Sequence, residues 1–162
     1  TRGRVRIAWT RAEAWHLTLT FLGEWPPVRL PALTTALQEA GAGLGPLTIQ
    51  PGQVGAFPTL RRPRVLFLHL DGGEPLVTRA TRVRQAVDRA WPDGPQDRKD
   101  FRPHLTLARI KRPLTGAEAT LLRTLDLGGL PAFTVDRVAL MASELHREGA
   151  RYASQADVPL GG

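Results

Sequence analysis

The tetrapeptide His-Leu-Thr-Leu occurs twice in this chain, at 16–19 and again at 104–107. Each copy alternates polar and apolar residues, the pattern of a half-buried β-strand. Side chains two apart on a strand share a face. His16 and Thr18 should therefore point one way, and Leu17, Leu19 and Phe21 the other. His104 and Thr106 stand in the same relation to Leu105 and Leu107. Each copy must bury an apolar face while presenting an imidazole and a hydroxyl together on the opposite one. The segments downstream of the two copies also correspond: loop, helix and further strands. That correspondence suggests an internal duplication and a pseudo-twofold fold, in which the two polar faces would meet across a cleft.

The other elements are read from periodicity and punctuation. A short strand is expected over 5–9, a connector over 10–14, and a stop to the first motif strand at Gly23 and Pro26-Pro27. Leu30, Leu33, Ala36, Leu37 and Ala40 make one side of a helix over 31–40, closed by Gly41 and Gly43. Strand character over 47–57 is interrupted by Pro51-Gly52, where a bend or bulge is expected. A loop carrying Arg61 and Arg62 leads to 65–70, the most apolar run and an inner strand.

Asp71-Gly72-Gly73 turns the chain into its longest helix, over 74–91. Leu76, Ala80, Val83, Val87 and Ala90 form its buried stripe, with Arg79, Arg82 and Arg89 mostly outside. A polar loop over 92–100 enters the second motif. Thr115 and Glu118 fit a capping box for a helix through Leu121, Leu122 and Leu125. One strand is expected over 133–145, a turn over 144–150 and a last strand over 151–158. The class is α+β: a bilobal, pseudo-twofold arrangement of antiparallel sheets with helices on the outer faces and an active-site cleft between the lobes. Residues 1–162 make one such domain.

Composition narrows the function. There is no cysteine, so disulfides and thiolate metal sites are excluded, and a reducing cytoplasm is compatible. No apolar run is long enough to cross a membrane. Net charge is +7, and of the basic residues only Lys99 and Lys111 are lysine. Arginine binds phosphate oxygens in pairs. The excess fits either a solvated basic surface or a polyanionic partner, nucleic acid first.

Two imidazoles facing one another can act as general base and general acid around one reacting group, because histidine titrates near neutrality. Two hydroxyls beside them can donate to anionic oxygens, and a basic surround favours phosphate. Cleavage of a phosphodiester by water needs this set and no metal. One histidine would take a proton from water, the other would protonate the leaving oxygen, and Thr18 and Thr106 would hold the non-bridging oxygens.

The motif segments at 16–24 and 102–109 resemble the paired motifs of the two-histidine phosphoesterase superfamily, and within it the LigT/ThpR-like RNA 2′,3′-cyclic phosphodiesterases, also called 2′-5′ RNA ligases. Gly55-Ala56-Phe57-Pro58 with Arg62-Pro63-Arg64-Val65-Leu66 is similar to that family's middle segment. Ala142-Ser143-Glu144-Leu145 with Gly149-Ala150-Arg151-Tyr152 is similar to its C-terminal hairpin. The resemblance implies a cofactor-free enzyme with a site between two lobes; a cytoplasmic monomer is expected. It would open a cyclic phosphate, on RNA ends or nucleotides, to a 2′-phosphate. It marks His16 and His104 as catalytic, with His104 as base and His16 as acid, and Thr18, Thr106 and Arg109 as phosphate-binding.

Strict alternation puts Arg109 on the wrong face, so the strand must twist, bulge or end before it. The family's usual leading strand and helix have no counterpart ahead of 5–9: the expectation is that an N-terminal segment was removed or is disordered, the alternative being a sheet that lacks a strand and exposes an edge. Phe57 is the aromatic residue chosen for a nucleobase.

Other readings compete. The motif histidines could be structural, although their doubled context argues against it. A non-catalytic RNA-end or nucleotide-binding module would keep the same fold. A zinc site lacks a third ligand in the motifs. RNA ligation, the reverse reaction, uses every one of these residues. His69 shares a face with Val65 and Phe67 and is a lesser site candidate, while His146 is read as a solvated turn residue. The four tryptophans are read as core or rim packing.

Overall fold

The two long apolar stripes pack against each other. A computed structural model of the chain describes residues 7–127, 129–146 and 149–161. Helix α1 (Leu30–Gly41) buries Leu33, Ala36, Leu37 and Ala40. Helix α2 (Gly73–Ala90) buries Leu76, Ala80, Val83, Ala86 and Val87. Ala86 lies deeper than the expected Ala90, which is half-buried at the helix end. The α1–α2 contact forms a core with Leu140 and Val158. Pro31 opens α1 where a missing N–H costs nothing. Gly43, at φ 70°, then takes the chain out through the left-handed region that glycine adopts freely.

The main sheet has five strands, β1 (Ile7–Trp9), β2 (Leu47–Phe57), β3 (Val65–Asp71), β4 (His104–Ile110) and β5 (Phe133–Val135), in the order β1-β4-β3-β2-β5. Every neighbouring pair is antiparallel. The inner strand is β3, as its uniform hydrophobicity indicated. The register of β2 shifts between Pro51 and Val54, at the predicted bulge. Helix α3 (Gly116–Thr124) starts with the predicted capping box, Thr115 and Glu118 bonding reciprocally. A second sheet is the hairpin β6 (Arg137–His146) and β7 (Gly149–Pro159). The class is α+β, as expected. Among the described residues no helix is long and apolar enough to cross a membrane.

Several expectations are corrected. The first motif copy is not a ladder strand: only Leu17 forms a bridge, to Leu105. Its far side faces a cavity instead of a strand, so its backbone polar groups are met by side chains. Arg84 Nε donates to the Leu19 carbonyl at 3.0 Å, and the Phe21 N–H donates to Asp97 Oδ2 at 3.0 Å. Across that cavity β6 pairs only with β7 among the described residues.

The strand expected over 133–145 is two strands. At Asp136 the chain leaves the main sheet, where Leu47 pairs with Val135, and joins the hairpin. The Leu160 N–H donates to the Asp136 carbonyl at 2.7 Å and fixes that corner. The turn expected over 144–150 shrinks, because pairing runs to His146 and Gly149; residues 147–148 lie outside the described residues, as do 5–6 of the first expected strand. Trp25 and Trp91 pack on the helical core. Trp9 and Trp15 are exposed instead, because β1 is an edge strand and Trp15 ends a short turn.

Candidate active site

The Leu17–Leu105 bridge joins the two motif copies directly and antiparallel. In that register His16 lies opposite Thr106, and Thr18 opposite His104. The two leucines turn into the core beneath the main sheet. The four polar residues flank them on the other face. Diagonal neighbours in such a pair stand about 7–8 Å apart along the backbone, the relation in which this register sets His16 and His104. His16, Thr18, His104, Thr106 and Arg109 line one cavity of about 960 Å³.

Both histidines are held the same way. His16 Nδ1 lies 2.8 Å from the carbonyl of Ala14, and His104 Nδ1 lies 2.6 Å from the carbonyl of Arg102. A carbonyl only accepts, so Nδ1 carries the hydrogen in each ring. Nε2 is then the nitrogen left to exchange a proton. Each bond spans two residues of the same chain, so the repeat carries its own tautomer lock. The rings are further set by aromatic neighbours. Tyr152 packs on His16 with ring centroids 4.7 Å apart. Phe67 and Phe57 stand edge-on to His104 at 5.2 and 5.5 Å.

Arg109 reaches the cavity through a bulge. Leu66 pairs with Ala108 but Phe67 pairs with Thr106, so Leu107 has no partner opposite. One extra residue reverses the alternation beyond it. Leu105, Leu107, Ala108 and Ile110 all serve the core, while His104, Thr106 and Arg109 share the cavity side. The guanidinium is exposed, and among the described residues no carboxylate pairs with it.

Not every candidate is brought in. Phe57 stacks on Phe67 at 4.4 Å and does not line the cavity. His69 is the cross-strand partner of His104 but is exposed and outside the lining. His146 sits at the end of β6, 3.4 Å from Glu144. Among the described residues no three histidine, aspartate or glutamate side chains converge as a metal ion would require.

The site also contains residues that the sequence did not single out. Ser143 and Tyr152, a cross-strand pair of the hairpin, and Gln155 line the cavity. The signal for them was the alternation of the last strand, but nothing local says that this strand faces the motifs. Gly55 is a second case. It lies opposite Phe67 on β2, and a Cβ there would stand 2.5 Å from the Phe67 ring. Its lack of a side chain is what leaves room for that ring beside His104.

Two imidazoles, two hydroxyls and a guanidinium thus line one cavity, a set of groups with which acid–base chemistry on a phosphate can be done. Comparison with known proteins agrees. The chain is 29% identical over 157 residues to an RNA 2′,3′-cyclic phosphodiesterase of Aquifex aeolicus, covering 95% of this chain and 82% of that protein. It is 32% identical over 151 residues to the protein of that name in Aeropyrum pernix, covering 90% and 82%. The solved structure of TT0787 from Thermus thermophilus superposes with a TM-score of 0.81 at 30% identity, covering 97% of this chain and 83% of that one. The family signature described as 2′-5′ RNA ligase superfamily matches residues 6–147, and the chain belongs to that superfamily.

Proposed function

We propose that this protein hydrolyses 2′,3′-cyclic phosphates at RNA ends or on nucleotides, giving 2′-phosphates. The observation that carries this reading is that His16 and His104, each tautomer-locked through Nδ1, line one cavity with both motif threonines. His104 Nε2 accepts a proton from water as its oxygen attacks phosphorus. The bond from phosphorus to the 3′-oxygen breaks, and protonated His16 delivers its Nε2 proton to that oxygen. Thr18, Thr106 and Arg109 hold the non-bridging oxygens as charge moves between the in-line groups. No step calls for a cofactor. Every group comes from one chain, so residues 1–162 act as a single bilobal unit and a monomer suffices. The cysteine-free composition suits the cytoplasm.

The names of the relatives favour hydrolysis over a silent binding module. The test is incubation with a nucleoside 2′,3′-cyclic phosphate, in the presence and absence of chelator. The 2′-monophosphate should form in both. Tight binding without turnover would leave the binding module, and loss of activity with chelator would remove the metal-free mechanism.

A further inference from the structure

The charges of the main sheet are sorted between its two ends. Phe57, Arg64 and Ile110 are knitted side by side at one end: the Arg64 N–H donates to the Phe57 carbonyl at 2.7 Å, and the Ile110 N–H to the Arg64 carbonyl at 2.8 Å. The β2–β3 loop projects from that end and carries Arg61 and Arg62. Arg61, Arg62, Arg64, Arg109 and Lys111 are all exposed there. No aspartate or glutamate occurs between residues 40 and 70 or between 101 and 117. Among the described residues none of the five cations has a carboxylate partner. The other end differs. There β3 finishes at Asp71, and the loop into β4 interleaves Lys99 and Arg102 with Asp97 and Asp100.

We infer that the body of an RNA substrate leaves the cavity past Arg109 and lies along this basic end, with Arg61, Arg62, Arg64 and Lys111 on successive phosphates. This rests on the proposed function and adds to it a track for the nucleotides that precede the reacting end, which a cyclic mononucleotide lacks. Arg109 is the link, since it belongs both to the cavity lining and to the basic end. A polyanion crossing the opposite end would meet Asp71, Asp97 and Asp100 among the cations. Arginine-rich loops give a binding term that is independent of sequence and dependent on salt.

The test compares uridine 2′,3′-cyclic phosphate with a single-stranded oligouridylate of about eight nucleotides, a typical single-strand footprint, bearing the same end. The oligomer should have the lower KM at low salt, and the advantage should shrink as salt rises. Arg61→Ala with Arg62→Ala should raise KM for the oligomer. It should also flatten log KM against log salt by about 0.7 for each contact removed. Turnover of the mononucleotide should stay unchanged, because neither side chain lines the cavity. Arg61→Lys with Arg62→Lys should keep most of the salt dependence. Equal KM values for the two substrates in the unaltered protein would overturn the inference, as would an unaltered salt slope in the alanine pair. Joint loss of both activities in that pair would do the same, by placing the loop in the fold. If the unaltered protein turns over neither substrate, the functional reading fails. Fluorescence anisotropy of the labelled oligomer against the same variants then decides the track separately.

Discussion

Replacing Gly55 by alanine isolates what holds the His104 ring. The added Cβ would lie 2.5 Å from Phe67 Cζ, 2.6 Å from Phe67 Cε2 and 2.9 Å from His69 Nε2. Non-bonded carbons rest about 3.5–4.0 Å apart, so the Phe67 ring would have to retreat by about 1 Å. It has nowhere free to go. The ring is buried, stacked on Phe57 at 4.4 Å, and edge-on to His69 at 4.9 Å and His104 at 5.2 Å. Overpacking of this kind costs about 1–3 kcal/mol. Lower entropy of the unfolded alanine chain returns about 0.4–1 kcal/mol of that. A displacement of about 1 Å passed to His104 costs on the order of a hundredfold in rate. Gly55→Ala should therefore melt somewhat earlier, and its kcat on a cyclic nucleotide should fall far more than its KM rises. Adding Phe67→Leu removes Cε2 and Cζ, so the double variant should regain stability relative to Gly55→Ala alone, a coupling of neighbours. Unchanged melting and kcat within twofold of the unaltered protein would refute the reasoning.

The remaining predictions are simpler. His16→Ala and His104→Ala should each lower the rate on the order of a hundredfold or more, and the unaltered protein should lose activity on both sides of a pH maximum; near-normal turnover in either variant contradicts the mechanism. Arg109→Gln should lower kcat/KM on the order of a hundredfold, and Arg109→Lys should recover only part, because lysine lacks the fork. At the capping box, Arg112 above all, then the Thr115 N–H, holds the Glu118 carboxyl down from its ordinary 4.5 to about 2. A depressed carboxylate contributes stability above its unfolded pKa and loses it as pH falls through the folded one. The start of α3 should thus loosen between pH 4.5 and about 2, read as faster amide exchange at Ala117–Ala119 positions, and Glu118→Gln should abolish that dependence.

Local chemistry made much of this fold legible. The α1 and α2 stripes, the Pro51-Gly52 bulge and the Thr115–Glu118 cap all arise from residues within a turn or two of each other. What failed depended on distant partners. Residues 16–19 spell a strand as clearly as 104–107, but pairing needs a neighbour, and only Leu17 finds one. Residues 133–145 keep their apolar character across Asp136, yet the chain changes sheets there, because β2 and β7 sit on opposite sides of it. Phe57, expected on a nucleobase, stacks on Phe67 and lies outside the cavity lining, a placement set by a partner on the neighbouring strand.

Arg109 shows why a site can be half legible. Alternation from His104 places it in the core, and an arginine in that core would have no counter-charge. The conflict is resolved by a single unpaired residue, Leu107. Leu107 costs the sheet one pairing, but beyond it Ala108 and Ile110 face the core and Arg109 faces the cavity. A bulge lets one short strand present three polar groups to the cavity without burying a charge. Two adjacent small or apolar residues, Leu107 and Ala108, are the trace the bulge leaves in the order His-Leu-Thr-Leu-Ala-Arg-Ile, and the same trace inside any apolar strand would pass as ordinary packing. The first motif has no such device: after Thr18 its chain runs on to Thr20 and Gly23 with no arginine. The two halves of the site therefore match in imidazole, hydroxyl and tautomer lock, and differ in charge. On the proposed mechanism, that arginine is what makes the two motifs unequal toward a bound phosphate.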